Sequence, residues 1–213
     1  MIPLEPLLAP FIQAPLSPDQ LRKLQIFLDL LLKWNAKISL TAVRTPEEIV
    51  RRHFGESLFT GEHLQSAPGS EVADLGTGAG FPGLPIAILR PDWKLVLIES
   101  QHKKTTFLRE AIRTLGITNA SIHAGRAENL KASKSQIVTM RAVEKFDSAL
   151  PVAASLVAPG GQLALLIGIA QLDAARQILP DLEWREPIAV PESLQRVLLV
   201  GVSGRQTHTI GNA

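Results

Sequence analysis

The sequence contains no cysteine and no tyrosine, and aromatic residues make up only 5% of its 213 positions. The absence of cysteine excludes disulfides, thiolate zinc sites and cysteine nucleophiles, and it fits a reducing cytosol. So few aromatic side chains cannot supply the stacking platform of a general RNA-binding sheet. The net charge of +2 provides no global basic field. A nucleic acid would therefore have to be bound by local clusters of cations.

Long apolar runs are also missing. The longest, LALLIGIA from Leu163, is too short to span a bilayer and predicts a buried strand that runs into its loop. The N-terminal stretch MIPLEPLLAPFIQAPL lacks a basic region and is interrupted by prolines, so it is a poor signal peptide. The five histidines form no cluster with metal-ligand spacing, so no metal is expected. These features predict a cytoplasmic protein without a membrane partner.

Two helix starts stand near the N-terminus. Ser17, Pro18 and Gln20 form a capping box with proline at the first helical position, and leucines then recur at helical spacing. Thr45 and Pro46 begin a second helix in the same manner. The turn-forming stretch SAPGS interrupts the helical pattern. Residues 1–65 are therefore predicted to form an N-terminal helical extension.

From Glu71 onward, short apolar strands alternate with helical segments, which predicts an α/β fold with a mostly parallel sheet. The last two strands, EWREPIAV and QRVLLVGV, are separated only by PESL. This connection is too short for a helical crossover, so the strands should form an antiparallel hairpin. Such a sheet is typical of the class I (Rossmann-like) methyltransferase fold. We assign it to residues 66–202, followed by a flexible tail at 203–213.

The glycine-rich loop ADLGTGAGFPG, residues 73–83, follows the first strand, where doubly wound sheets bind their ligands. Its glycines, Gly76, Gly78 and Gly80, depart from the spacing of a dinucleotide-binding fingerprint. The nearby carboxylate of Asp74 would repel a pyrophosphate but suits a ligand that carries an ammonium and a sulfonium. The loop therefore favours S-adenosyl-L-methionine over NAD.

Acidic residues also follow the next two strands. Glu99 ends the second strand, where a carboxylate can accept hydrogen bonds from both ribose hydroxyls, a feature shared with dinucleotide folds. Ala127 and Glu128, in GRAEN, follow the third strand, where a backbone amide and a carboxylate can bind the adenine edge. The alternative is that these acids are solvated residues at strand ends. Their shared position favours binding.

Six segments in this order resemble the bacterial glucose-inhibited division protein B family of small-subunit (16S) rRNA guanine-N7 methyltransferases. They are KWNAKISLTAV, EEIVRRHFGESL, ADLGTGAGFPGLPIAI, LIESQHKKTTFL, HAGRAEN and TMRAV. The resemblance runs from about Trp34 to Val200. It implies a class I methyltransferase core with an N-terminal helical extension, S-adenosyl-L-methionine as cofactor, and 16S rRNA or the small ribosomal subunit as partner.

The matching motifs imply that five residues contact the cofactor or lie beside it: Gly76, Phe81, Ala127, Glu128 and Arg141. The guanidinium of Arg141, at the end of the fourth strand, can clamp a carboxylate or phosphate or stack on a base. The alternative is a structural ion pair.

The sequence departs from the family pattern at two positions. Ser39 stands where the family usually has asparagine, and Ile167 stands where it usually has lysine. The second departure removes a cation from beside the expected site, which leaves a phosphate or substrate contact there in question.

Methylation at guanine N7 needs no general base, because N7 already presents a lone pair. We therefore expect no catalytic base, with Arg141 the nearest candidate for a catalytic role, and assign catalysis to alignment and electrostatics. The target guanine should be unpaired, because the major groove of A-form RNA hides N7. Phe81 is predicted either to line the pocket or to belong to the core.

Two local clusters of basic side chains are candidates for phosphate contacts that position RNA without reading its sequence. The first is RRHF and the second follows the second strand, and together they supply Arg51, Arg52, His53, Lys103 and Lys104. The alternative for His53 is an imidazole at the edge of the core.

Three other functions remain open at the level of the sequence: a class I methyltransferase with another substrate, a non-catalytic ribosome-assembly factor that retains the cofactor pocket, and an NAD-dependent oxidoreductase. The glycine spacing and Asp74 disfavour the last of these. We expect a monomer. The predicted substrate is a guanine of naked rRNA or of an assembled subunit.

Overall fold

The computed structural model describes residues 2–130, 134–142 and 145–204. Of the flexible tail predicted at 203–213, residues 205–213 lie outside this description.

The chain before the first strand is mostly helical, as the capping signals predict. Its helices are α1 (Leu4–Leu8), α2 (Pro18–Asn35), α3 (Pro46–Ile49) and α4 (Glu56–His63). A 3-10 turn at Ala9–Phe11 follows α1, and a π-helical segment, Val50–Gly55, joins α3 to α4 in one continuous helical run. The capping box of α2 is confirmed, because the Gln20 amide donates to Ser17 Oγ (3.3 Å) and the Ser17 amide donates to Gln20 Oε1 (2.8 Å).

The sheet has the strand order β3-β2-β1-β4-β5-β8-β6, and β7 also pairs with β8. Its strands are β1 (Glu71–Leu75), β2 (Lys94–Glu99), β3 (Ala120–Ala124), β4 (Ser135–Arg141), β5 (Val157–Gly168), β6 (Glu183–Trp184), β7 (Ile188–Ala189) and β8 (Arg196–Val202). Strands β1 to β5 are parallel, and β8 runs antiparallel to β5. Because the parallel strands end at one edge, the loops after β1 to β5 meet there; we call it the carboxyl edge.

The predicted antiparallel ending of the sheet is confirmed. The predicted strand EWREPIAV forms as two short strands, β6 and β7, and both pair antiparallel with β8. Pro187 lies between them, and proline has no amide hydrogen with which to continue the ladder.

Two apolar clusters cover the two faces of the sheet. Helices α5 (Gly83–Leu89) and α6 (His102–Leu115) lie on the side of the N-terminal helices, whose buried residues belong to the same cluster. Helices α7 (Phe146–Ser155) and α8 (Leu172–Ile178) cover the other face. The N-terminal extension is thus a layer of the main core. In the part of the chain described, no helix combines the length and apolarity that crossing a membrane requires.

Candidate functional site

The glycine loop connects β1 to α5 at the carboxyl edge. Most of its backbone amides donate hydrogen bonds to other atoms of the protein. The amides of Gly76 and Thr77 donate to the Ile98 carbonyl (3.0 and 3.1 Å), and those of Gly80 and Phe81 donate to the Thr77 carbonyl (both 2.9 Å). The Gly78 amide donates to Glu99 Oε2 (3.1 Å). A phosphate-binding loop presents such amides to its ligand. This loop does not, which argues against a pyrophosphate as its ligand.

Gly78 is the open position of the loop. Its φ of +60° lies in the left-handed region, and a Cβ built there would meet nothing nearer than the Gly76 carbonyl oxygen at 3.8 Å. Gly83, by contrast, is closely packed: a Cβ there would overlap Leu97 and stand 2.7 Å from Asp74 Oδ2. The loop therefore leaves room for a ligand above Gly78 and is held tightly against the sheet at Gly83.

Asp74 lies beneath the loop. Its side chain is fully buried, with Oδ2 accepting from the Gly83 amide (2.8 Å) and Oδ1 from the Thr139 hydroxyl (2.9 Å). The Asp74 side chain is therefore enclosed, contrary to the direct ligand contact that the sequence predicted, and its carboxylate instead bonds the loop at Gly83 to β4 at Thr139. Burial raises the pKa of Asp74 to about 6, although the hydroxyls of Thr77 and Thr139 and the Gly83 amide act in the opposite direction.

We expect the stability contributed by Asp74 to decrease as the pH rises. The carboxyl ionises near 3.8 when unfolded and near 6 when folded, so the folded state loses stability relative to the unfolded state between these values. Relative to Asp74→Asn, the free energy of unfolding of the parent should fall by about 2 kcal/mol between pH 4 and pH 7. Urea unfolding of both proteins across this range measures the difference, and a difference independent of pH would contradict the prediction.

Glu99 ends β2 beside the loop, as predicted, with 6% of its surface exposed. Its Oε2 accepts from the Gly78 amide and its Oε1 from the Gln101 amide (2.8 Å). Each carboxylate oxygen retains a further lone pair, so hydrogen bonds from ribose hydroxyls stay available to this group.

Ala127 and Glu128 begin a 3-10 turn, Ala127–Asn129, after β3 at the same edge. Ala127 is buried and Glu128 is exposed. The turn thus carries an exposed side-chain carboxylate next to a buried residue, which is the arrangement expected for a site that binds a base edge. Contact with adenine stays a prediction for both residues.

Phe81 joins the glycine loop to the N-terminal helices. Its ring stacks on Phe27 (centroids 5.1 Å apart) and on the His53 imidazole (5.0 Å), and it meets Phe54 edge-on (5.3 Å). Phe81 is 7% exposed, so of the two predicted roles the structure favours the core. The N-terminal layer thus packs directly on the loop.

His53 is partly buried at this junction, with Nε2 2.6 Å from the Thr41 hydroxyl. Burial lowers the pKa of His53 to about 3, and the charges of Arg141, Arg52 and Arg196 lower it further. The ring is therefore neutral near pH 7. This favours the predicted core-edge imidazole over a phosphate contact by His53.

Arg141, at the end of β4, lies in a buried charge cluster. Its Nη2 donates to the Arg52 carbonyl (2.7 Å) and lies 3.1 Å from Glu56 Oε2, which Arg196 Nε also approaches to 3.1 Å. Burial lowers the pKa of Arg141 to about 10 and raises that of Glu56, whereas their mutual attraction opposes both shifts. We name Glu56, Arg141 and Arg196 the arginine–glutamate triad.

The triad does not use every donor of Arg141. Its buried Nε–H has no hydrogen-bond partner within residues 2–130, 134–142 and 145–204. Because Met140 pairs with Leu75 across β4 and β1, Arg141 stands beside the start of the glycine loop. A buried unsatisfied donor is unfavourable unless a ligand completes it, so a ligand acceptor such as a carboxylate fits this position.

The remaining predicted RNA contacts lie around the carboxyl edge. Arg52 is exposed, whereas Arg51 pairs with Glu192 (Nε to Oε2, 2.9 Å). Lys103 is exposed and Lys104 partly buried in the first turn of α6, which follows Glu99. The structure therefore places both cation groups at the same edge as the loop, with Arg52 and Lys103 the most accessible.

Sequence reasoning missed Glu56, Arg196 and Thr41. Glu56 carried a detectable signal, because it is the acidic residue in the otherwise uncharged stretch FGESLF. Arg196 follows a predicted turn, and nothing in the sequence indicates its partner. It reaches Glu56 only because β8 pairs with β5. Thr41 connects the segment after α2 to His53.

The two departures from the family pattern occupy different surroundings. Ile167 is 4% exposed and belongs to the apolar cluster on the α7 and α8 face. Ser39 is exposed. Nearby, Asn35 Oδ1 accepts from the amides of Leu40 and Thr41 (2.9 and 3.0 Å), which fixes the segment after α2. In the described ranges, no three histidine, aspartate or glutamate side chains are grouped to hold a metal ion.

Comparisons with known proteins bear on the family and the fold of the chain. A family model described as "rRNA small subunit methyltransferase G" matches residues 20–186. A protein named ribosomal RNA small subunit methyltransferase G from Stenotrophomonas maltophilia strain K279a is 38% identical over 91% of this chain and 89% of its own. One of the same name from Actinobacillus pleuropneumoniae serotype 3 is 37% identical over 84% and 87%.

Solved structures resemble the fold at low sequence identity. A ribosomal protein L11 methylase from Lactobacillus delbrueckii subsp. bulgaricus aligns with a TM-score of 0.60 and 18% identity, over 73% of this chain and 79% of that one. A precorrin-6y C5,15-methyltransferase from Geobacter metallireducens aligns at 0.58 and 12%, over 69% and 88%. The predicted class I methyltransferase fold is confirmed.

Proposed function

Because the chain belongs to the rRNA small subunit methyltransferase G family, we propose that it transfers a methyl group from S-adenosyl-L-methionine to N7 of a guanine in 16S rRNA. The observation that carries the proposal is the glycine loop. Most amides of the loop donate to protein oxygens and so are not presented to a ligand. The loop leaves space above Gly78 and lies beside the unsatisfied Nε–H of Arg141. Such a loop fits a ligand without phosphate that carries a carboxylate.

The residues that would hold the cofactor are Gly76, Gly78, Gly80, Glu99, Ala127, Glu128 and Arg141. When bound, S-adenosyl-L-methionine supplies a methyl group on a positively charged sulfur. Arg141 would bind its carboxylate, Glu99 its ribose, and the turn at Ala127 its adenine. Asp74 contributes by keeping the loop in place.

The protein need not remove a proton from guanine, because N7 carries none. The titratable groups at the site agree with this requirement. His53 is neutral, with a pKa of about 3, and its Nε2 is occupied by Thr41. Asp74 is enclosed. Catalysis then consists of holding acceptor and donor in line and excluding water.

The reaction is tested by mixing the protein with methyl-labelled S-adenosyl-L-methionine and small-subunit particles from cells that lack this enzyme. Naked 16S rRNA forms a parallel arm, because the substrate form is open. Digested RNA is analysed by mass spectrometry, and labelled 7-methylguanosine is expected. A different labelled nucleoside would show that the methyl group goes to an atom other than guanine N7. No label in either arm despite cofactor binding would overturn the proposal.

Arg52→Ala and Lys103→Ala should each weaken RNA binding in a salt-dependent manner. A side chain that contacts one phosphate contributes about one unit to the slope of log affinity against log salt. Filter binding of 16S rRNA at several salt concentrations measures this slope. Lys94→Ala serves as the control, because Lys94 is an exposed cation at the start of β2, at the opposite end of that strand from Glu99 and the carboxyl edge. Equal slopes for all three variants would exclude the assigned contacts.

A further inference from the structure

Leu194 is the most exposed large apolar side chain of the described residues, at 96%. It stands in the turn that links β7 to β8, residues 190–195, which we name the leucine turn. A single exposed apolar residue is ordinary on protein surfaces. What distinguishes Leu194 is the way the structure holds it and what lies beside it.

The leucine turn contains a strained residue and is held in place by an ion pair and backbone hydrogen bonds. Glu192 has a φ of +56°, a left-handed conformation that is unfavourable for any residue with a side chain. Its carboxylate pairs with Arg51, which ties the turn to the π-helical segment. Backbone hydrogen bonds from Val190 to Arg196 (3.0 Å) and from Ile169 to Gln195 (2.8 Å) tie it to the sheet. The turn therefore presents Leu194 to solvent from a fixed position.

The leucine turn also lies at the site. Arg196 pairs with Gly168 at the end of β5, so the turn is at the carboxyl edge with the glycine loop. Through Glu56, Arg196 connects to Arg141 by two contacts of 3.1 Å. Leu194 is two residues from Arg196, and two residues span at most about 7 Å of extended chain. Leu194 is therefore near enough to the triad for one nucleotide to contact both.

A groove of about 610 Å³ separates the leucine turn from the π-helical segment. Its lining includes Arg51, Arg52, Glu192, Leu194 and Arg196. Arg51 is paired with Glu192 and Arg196 with Glu56, whereas Arg52 makes no ion pair within the described residues. The groove thus offers an exposed cation on one wall and an exposed apolar side chain on the other, which suits a nucleotide's phosphate and base.

We propose that Leu194 is an apolar wedge that enters the RNA base stack next to the target guanine, while Arg52 binds a neighbouring phosphate. The proposal rests on the proposed function. N7 of a guanine stacked in an A-form helix is hidden, so an enzyme that methylates it in structured RNA acts on an unpaired or an extruded base, and extrusion leaves a gap in the stack. An apolar side chain of suitable size fills such a gap, as wedges do in nucleic-acid-bending proteins. Leu194 is then a specificity-determining residue that touches substrate.

The test compares Leu194→Ala, Leu194→Met and the control Ile188→Ala, which removes another exposed apolar side chain (37%) from the same hairpin. Methyl transfer to 16S rRNA, cofactor affinity and melting temperature are measured for each. Leu194→Ala should lose about tenfold in kcat/KM with unchanged cofactor affinity and melting temperature. Leu194→Met and Ile188→Ala should retain the parental value.

A direct readout uses an rRNA fragment that carries 2-aminopurine beside the methylated guanine. Its fluorescence should rise when the parent binds and unstacks the base, and the rise should be absent with Leu194→Ala. Full activity of Leu194→Ala, or an equal loss in Leu194→Met, would overturn the wedge. Self-association in sedimentation that Leu194→Ala abolishes would assign the residue to a contact between copies. A parent that methylates no rRNA would defeat the proposed function, a result visible before any variant is compared.

Discussion

Replacing Gly78 with alanine is expected to weaken binding of S-adenosyl-L-methionine about a hundredfold and to abolish methyl transfer at ordinary cofactor concentrations. The added methyl group meets no protein atom closer than 3.8 Å, so it projects into the space that the loop leaves for its ligand. Intrusion of one methyl group into a closely packed contact costs about 3 kcal/mol, which corresponds to this loss of affinity. Titration with labelled cofactor measures it.

Gly116→Ala provides a matched control. Gly116 caps the end of α6 with a φ of +62°, nearly that of Gly78, and a Cβ there meets nothing within 4 Å. Both substitutions should cost about 1 to 2 kcal/mol of stability through left-handed alanine. Only Gly78→Ala should lose cofactor binding. Equal cofactor affinity in the two variants would show that the ligand does not approach over Gly78.

Glu56→Gln is expected to destabilise the protein by about 3 kcal/mol and to reduce methyl transfer strongly. The carboxylate of Glu56 is nearly fully enclosed and is shared by two guanidinium groups, so its loss leaves two cations without a counter-charge. Arg141 would then be free to leave the position that it holds beside the glycine loop. Urea unfolding and single-turnover kinetics measure the two effects.

The control for Glu56→Gln is Asp92→Asn, which likewise changes a carboxylate to an amide, in the partly exposed pair of Arg90 and Asp92, also 3.1 Å apart. A surface pair contributes about 1 kcal/mol or less, so stability and activity should hardly change. If Glu56→Gln behaves like Asp92→Asn, the triad is not important for either property.

A triple variant separates the contribution of the triad to stability from its contribution to methyl transfer. A variant with Glu56→Leu, Arg141→Met and Arg196→Met replaces all three charges with apolar side chains. Such replacements in buried charge clusters are often neutral or stabilising, so the parental free energy of unfolding should return to within about 1 kcal/mol. Methyl transfer should remain strongly reduced, because the triple variant lacks the donor of Arg141. An active triple variant would remove Arg141 from the site.

The triad also links the N-terminal extension to the candidate site. Glu56 begins α4, whereas Arg141 and Arg196 belong to strands of the sheet. In the same way, Phe27 and His53 of the extension stack on Phe81 of the glycine loop. The helical layer therefore packs directly against the glycine loop.

The features that the sequence predicted well depend on neighbours in the chain. The strand EVADL, the helix start at Ser17 and the position of the glycine loop follow from local periodicity, capping and turn chemistry, and all agree with the structure. The antiparallel ending was also predictable, because the length of a connection limits the pairing of the strands that it joins.

The partners of buried charges depend on residues far apart in the chain, and here the sequence predicted the position of a group without its contacts. Asp74 was placed correctly at the end of β1, but its enclosure requires Thr139, 65 residues away. Arg141 bonds to a carbonyl 89 residues distant, and Glu56 meets Arg196 only because β8 returns beside β5. Periodicity reports which face of an element is buried. Which side chains meet across that face depends on how the layers pack, and packing brings together residues that no local pattern relates.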